Sequence, residues 1–199
     1  MSIENSSPGA DLISGELLLP IARAAISTAL GRPQQADGSA AWLQQPGACF
    51  VTLTQHGQLR GCIGSLAARR TLQADVQANA VAAAMYDSRF APLRLAELDH
   101  TDIEVSLLSP LQPMHFVSQT QALAQLRPGV DGVVFECQRW RSTFLPQVWQ
   151  QLPTPADFMA HLVHKAGLAS DFWSDDVRLY RYTVTHWNEA PTHHEPDAS

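Results

Sequence analysis

Residues 48–64, ACFVTLTQ then HG then QLRGCIG, constrain the fold more than any other stretch of the chain. The first eight residues are apolar and β-branched, the composition of a strand. His56-Gly57 is a turn pair, and the chain returns through Gln58 to Gly64. Two such runs around a short glycine-containing turn predict a β-hairpin. If 58–64 is a regular strand, side chains alternate between its faces. Leu59 and Ile63 then point to a core, and Arg60 and Cys62 point together to the other face. Gly61 and Gly64 bare the backbone and leave room for a ligand or another chain to come close.

The rest of the chain mixes helices and strands irregularly. Leu19, Ala22, Ile26 and Leu30 recur at helical spacing, with Pro20 near the start and Gly31 and Pro33 after the end, so 16–30 reads as a helix. Residues 31–40 read as an exposed loop. In 72–86, Leu72, Val76, Ala80 and Ala83 make a small-residue face able to sit close against a sheet. Residues 87–92 form a loop. Strands are expected at 102–109, 113–117, in 128–137, at the start of 143–152 and over 178–187, with short helices at 119–126 and at the end of 143–152. Thr154-Pro155-Ala156-Asp157 is a helix start: a hydroxyl cap, proline at the first position and an acid at the third. That helix ends at Gly167. Residues 1–13 read as a flexible arm and 190–199 as a disordered tail. The class is α+β with a mainly antiparallel sheet and packed helices.

Composition narrows the function. Of 199 residues, 45% are hydrophobic, enough for a sizeable core. A net charge of −6 opposes non-specific nucleic-acid binding, which needs a basic surface. Aromatic and basic residues are not interleaved as base-stacking surfaces require, so RNA or nucleotide binding is the weakest of three readings. Cys49, Cys62 and Cys137 are odd in number and lack CxxC spacing, which argues for reduced thiols in the cytoplasm rather than disulfides or a cysteine zinc site. The first residues lack the basic start of a signal peptide, and no apolar run reaches the roughly 18 residues of a membrane span. His161 and His164 lie on the polar side of their helix, away from Phe158, Met159, Leu162, Val163 and Ala166, so no metal is expected there. Walker, Rossmann, HExxH and GxSxG patterns are absent, and no cofactor is implied.

The chemistry concentrates on Cys62. A guanidinium nearby favours thiolate over thiol, so Arg60 and Cys62 on one face suit a nucleophile or an anion-binding thiol. The plainer reading is that Cys62, like Cys49 and Cys137, only packs. In DIEVSLLS, Ile103, Val105 and Leu107 share one face, and Glu104 and Ser106 share the other with Leu108. Glu104 is then a partner for Arg60, an acid/base group, or part of a solvated face. Asp87 and Arg89 form either a pair that fixes their loop or a substrate contact.

Taken in order, LRGCIG, DSRFAPL, EVSLLS, PGVDG, FLPQV and HKAGL resemble the AMME-syndrome candidate family, also called protein A of the AmmeMemoRadiSam system. The likeness runs from about residue 14 to 189, as one domain of that type with two lobes. Ser88 and Ala91 stand where the family's loop usually has proline, and Val163 stands where it often has cysteine. The resemblance implies an α+β fold with a smaller inserted lobe and a cleft on the LRGCIG strand. It implies a Memo-like protein and a radical SAM enzyme as partners. It supplies no reaction. Carried over by motif, the site candidates are Arg60, Gly61, Cys62 and Gly64; Asp87, Arg89 and Phe90; Glu104 and Ser106; Asp131 and Gly132; Gln147 and Lys165. Cys62, Arg60 and Glu104 are the catalytic candidates, the others binding candidates for a small anionic ligand. One reading is an enzyme or enzyme-like subunit; the other is a binding module without an activated thiol.

Overall fold

The computed structural model describes residues 15–189. The arm expected at 1–13 and the tail expected at 190–199 lie outside the described residues. In chain order the elements are α1 (Gly15–Ala29), a 3-10 turn (Ala41–Gln44), β1 (Pro46–Gly47), β2 (Cys49–Gln55), β3 (Gln58–Gly64), β4 (Arg70–Thr71), α2 (Leu72–Met85), α3 (Leu95–Leu98) and β5 (Asp102–Leu108). Then come β6 (Gln112–Pro113), α4 (Gln119–Ala124), β7 (Gly132–Cys137), β8 (Trp140–Phe144), a second 3-10 turn (Pro146–Gln150), α5 (Pro155–Lys165), β9 (Arg178–Tyr182) and β10 (Val184–Asn188). This is the expected α+β class. The chain divides into two compact units, one running to Leu107 and resuming at His186, the other spanning Leu108–Thr185.

The first unit is a four-stranded sheet in the order β10-β5-β2-β3, with β2 antiparallel to both of its neighbours. Helices α1 and α2 cover one face. Leu18, Ile21 and Ile26 of α1, Val76, Ala80 and Ala83 of α2, and Val51, Leu53, Ile103 and Val105 of the sheet form one buried core. The alternation read in DIEVSLLS holds: Ile103 and Val105 are buried in this core and Leu107 packs against it, while Glu104 and Ser106 are half-buried on the opposite face.

The hairpin exists, but its return strand is irregular. His56 and Gly57 both have positive φ (50° and 74°), the backbone of a type I′ turn. Gln55 pairs with Gln58 and Thr54 with Leu59, but Leu53 pairs with Gly61. Arg60 is therefore an extra residue in β3, a β-bulge that breaks the alternation. Leu59 falls on the face of Thr54 and is 44% exposed rather than in the core. Gly61 takes the buried place opposite Leu53.

In the second unit the sheet order is β6-β9-β7-β8, with antiparallel pairs throughout. Phe135 and Leu179 pack with Phe158, Met159 and Leu162 of α5. Helix α5 starts as expected: the Thr154 hydroxyl accepts the Asp157 N–H at 3.2 Å, and Gly167, at φ 91°, follows its last turn. Three strand expectations change. The one at the start of 143–152 begins earlier, at Trp140, and ends at Phe144. The one at 113–117 shrinks to Gln112–Pro113, since the chain leaves β9 after Met114 donates to the Leu179 carbonyl. The one at 178–187 is two strands in two sheets. The break is at Thr183, whose N–H turns to the Ser109 hydroxyl and whose carbonyl accepts the Ser109 N–H, at 3.0 and 2.9 Å.

Candidate functional site

Cys62 lies on β3, an edge strand, facing away from the helices. In register it stands opposite Thr52, and Thr52 stands opposite Glu104, giving a row across three strands. The Thr52 hydroxyl donates to the Cys62 sulfur at 3.4 Å. Closely approaching side chains are characteristic of antiparallel pairs that exchange no backbone hydrogen bonds. In such a pair the N–H and C=O point away from the partner strand. For Cys62 they point to the free edge of the sheet.

Side chains, not another strand, meet that edge. Asp87 Oδ2 accepts the Cys62 N–H at 2.9 Å, and Arg89 Nη2 donates to the Cys62 carbonyl at 3.2 Å. Arg89 also forks onto Asp87, Nη2 to Oδ2 at 2.7 Å and Nε to Oδ1 at 2.9 Å. The ring Cys62–Asp87–Arg89 is closed. The Arg89 guanidinium holds the Asp87 carboxyl far below the ordinary carboxylate range; burial works against this, and the Cys62 and Arg89 N–H groups reinforce it. Gly61 makes the approach possible. A Cβ there would stand 2.2 Å from the Ala83 carbonyl oxygen, so only glycine lets the last turns of α2 lie on β3 and deliver Asp87 to Cys62.

Arg60 is elsewhere. Its guanidinium donates from Nε and Nη2 to Glu97 Oε1, both at 3.2 Å, and Glu97 also accepts the Arg94 N–H. The bulge that separates Arg60 from the alternation removes the shared face with Cys62; the guanidinium beside Cys62 is that of Arg89. Glu97 and Thr52 were not legible as site residues, because a single sequence marks neither the bulge nor the cross-strand register.

The other first-unit candidates lie close by. Glu104 accepts the Ser106 hydroxyl at 3.0 Å. Phe90 lies under the Arg89 guanidinium, 5.5 Å from the ring centre. At Gly64 a Cβ would meet the Phe50 ring at 2.2 Å.

Asp131, Gly132, Gln147 and Lys165 belong to the second unit and make a different set of contacts. Asp131 is fully buried and holds Arg127 at 2.6 Å, and its carbonyl accepts the Trp149 indole N–H at 2.7 Å. Gly132 lies against the Tyr182 ring. Lys165 donates to the Thr143 carbonyl at 3.0 Å and sits 4.9 Å from the Phe144 ring centre. Gln147 is exposed on the second 3-10 turn.

One polar cluster escaped the sequence reading. Asp75, 1% exposed, accepts the Ser65 hydroxyl and Arg70 Nε at 2.7 Å each, and the Cys49 N–H and Asn79 amide at 2.9 Å each. Burial, with the Asp75 charge behind it, pushes the Cys49 thiol far up. The signal was present: Asp75 and Asn79 interrupt the apolar stripe of α2 at i and i+4. Among the described residues no buried side-chain nitrogen or oxygen lacks a partner, and no three His, Cys, Asp or Glu residues are grouped to hold a metal.

Comparison with known proteins agrees with the family that the sequence resembles. The sequence model of the AMMECR1 family matches residues 19–187. A protein of Methanothermobacter thermautotrophicus is 35% identical over 180 residues, covering 88% of this chain and 94% of that one. A protein of Thermotoga maritima is 36% identical over 137 residues, 68% and 74% of the two chains. The crystal structure of an uncharacterized protein from Pyrococcus horikoshii superposes with a TM-score of 0.73 at 30% identity, covering 88% of this chain and 91% of that one. With the family match spanning both units and the LRGCIG strand, the chain belongs to the AMMECR1 family.

Proposed function

We propose that the chain is an enzyme-like subunit whose working group is the thiol of Cys62. The observation that carries this reading is the sulfur's placement: half-buried on an edge strand, accepting a hydrogen bond from Thr52, its backbone held from outside. Cys49 and Cys137, by contrast, are buried within the two cores. The Thr52 hydroxyl holds the sulfur in place on the face of the sheet away from the helices. Glu104, the register neighbour of Thr52, is the acid/base group of this reading, and Ser106 orients it. Arg60, held by Glu97, shapes the bulge rather than the thiol. The family resemblance supports a Memo-like protein and a radical SAM enzyme as partners, and the half-exposed outer side of the Arg89 guanidinium, beyond its pairing with Asp87, supports a small anionic ligand. Three free thiols fit the cytoplasm. Among the described residues no helix is long and apolar enough to cross a membrane.

The test is iodoacetamide alkylation of the native protein over a pH series, read at each cysteine by peptide mass spectrometry. Cys62 should react while Cys49 and Cys137 stay silent until the protein unfolds. A Cys62 that reacts only on unfolding sinks the reading. In cells, function that survives both Cys62→Ala and Cys62→Ser sinks it as well.

One observation favours a binding module instead: the Arg60 charge is already engaged by Glu97 and does not face the thiol. On that reading Cys62→Ala is neutral and changes at Arg89 or Lys165 impair partner capture. No association with a Memo-like or radical SAM protein at micromolar concentration would count against it.

A further inference from the structure

The backbone of Cys62 presents one N–H and one C=O to the free edge of the first sheet. A neighbouring strand would answer with one acceptor and one donor. Asp87 and Arg89 supply that same pair from side chains, joined to each other by two further hydrogen bonds. The Asp87 side chain is 4% exposed and the Arg89 side chain 53%, so the ring is closed to water on the carboxylate side and open to it on the guanidinium side. Gly61 is what permits it, since α2 must press against β3 for Asp87 to arrive.

We infer that Asp87 and Arg89 are positioning residues for Cys62: they stand in for a missing strand, fix its main chain, and set opposing charges on its own N–H and C=O. The inference rests on the reading of Cys62 as a reactive thiol. Thr52 on β2 is neutral, Glu104 lies one strand further on β5, and Arg60 on β3 itself is neutralised by Glu97. The Asp87–Arg89 pair is thus the charged feature that hydrogen-bonds Cys62, and it carries one charge of each sign.

This gives a signature that loop packing alone does not. A cation near a thiol favours thiolate and an anion disfavours it, and the thiolate is the species that reacts. Removing the charge of Arg89 should slow alkylation, and removing the charge of Asp87 should speed it. Simple loosening of the loop would shift both variants in the same direction.

The experiment measures iodoacetamide alkylation of Cys62 in the full chain at pH 7, for wild type, Arg89→Gln and Asp87→Asn. The unreacted Cys49 and Cys137 in the same samples report that the fold is intact. Expected are a fall of about fivefold or more for Arg89→Gln and a rise of similar size for Asp87→Asn, with the rate–pH profiles displaced in opposite directions. Rates that move together, or stay within twofold of wild type, overturn the inference. A wild-type Cys62 that never reacts overturns the reading of the site instead. Should either variant unfold, hydrogen exchange of the wild-type protein decides. The Cys62 amide, though on a free edge, should be as protected as that of Val51 within the sheet; an amide that exchanges as fast as exposed backbone overturns the clamp.

Discussion

Gly61 and Gly57 sit four residues apart in one hairpin and are glycine for different reasons. Gly57 has φ 74° and open space around its missing side chain. Its replacement meets only the left-handed backbone, a cost of about 1–2 kcal/mol for an L-residue. Gly61 has ordinary backbone but no room: the new methyl would stand 2.2 Å from the Ala83 carbonyl oxygen. A backbone oxygen in the last turn of a helix moves only with that turn, so α2 and β3 must part. Overpacking of this kind costs about 1–3 kcal/mol or more. Gly61→Ala should therefore lower the denaturation midpoint more than Gly57→Ala, and it alone should alter Cys62 alkylation, because Asp87 follows directly on the end of α2. Chemical denaturation of the two variants, with cysteine footprinting, checks both points. The sequence marked Gly61 as a place of close approach; which atom approaches, and that it comes from α2, is a tertiary fact.

The segment between α2 and α3 ties itself to the sheet edge through the charge of Asp87. That charge has a defined pH dependence. Arg89 lowers the Asp87 carboxyl in the folded state below its unfolded value, so the ionised form favours folding. The contribution is fully present above the unfolded value of about 3.9 and fades as pH falls through the lower folded value. Asp87→Asn should accordingly be less stable than wild type by the same margin from pH 8 down to about 4, and the margin should narrow below that. Thermal melts across this range measure it; a margin that grows on acidification would contradict the clamp. The DSRF loop was open to two readings, a pair fixing its own loop or a contact with substrate. The pair is there, and it also reaches β3. Nothing local in the sequence says so, because Asp87 and Cys62 are 25 residues apart.

The stretch RLYRYTVTHW reads as one strand because its local pattern is continuous, yet it serves two sheets. The change of sheet falls at Thr183, where both backbone groups turn to Ser109. This brings the two ends of the second unit together, and that unit has its own buried core. Segments with joined ends and a separate core fold alone. Residues 108–185 expressed by themselves should unfold cooperatively and give dispersed amide resonances. A broad, non-cooperative melt would show that the unit needs the rest of the chain.

Hydrophobic periodicity, turn pairs and capping residues act over a few positions, so the sequence alone determined most elements: α1, α2, α5, the hairpin, and the faces of β5. The ordered motifs likewise determined the family. Tertiary structure decided what depends on register and close approach. The bulge at Arg60 arises from how β3 lies against β2. It sent Arg60 to Glu97 and Leu59 toward solvent, although strict alternation placed Arg60 with Cys62. The neighbours of Cys62 come from β2, β5 and the loop after α2, and only packing brings them there. A side chain's type is written in the sequence, but its partners across the fold are chosen by the geometry of chain segments that the sequence keeps far apart.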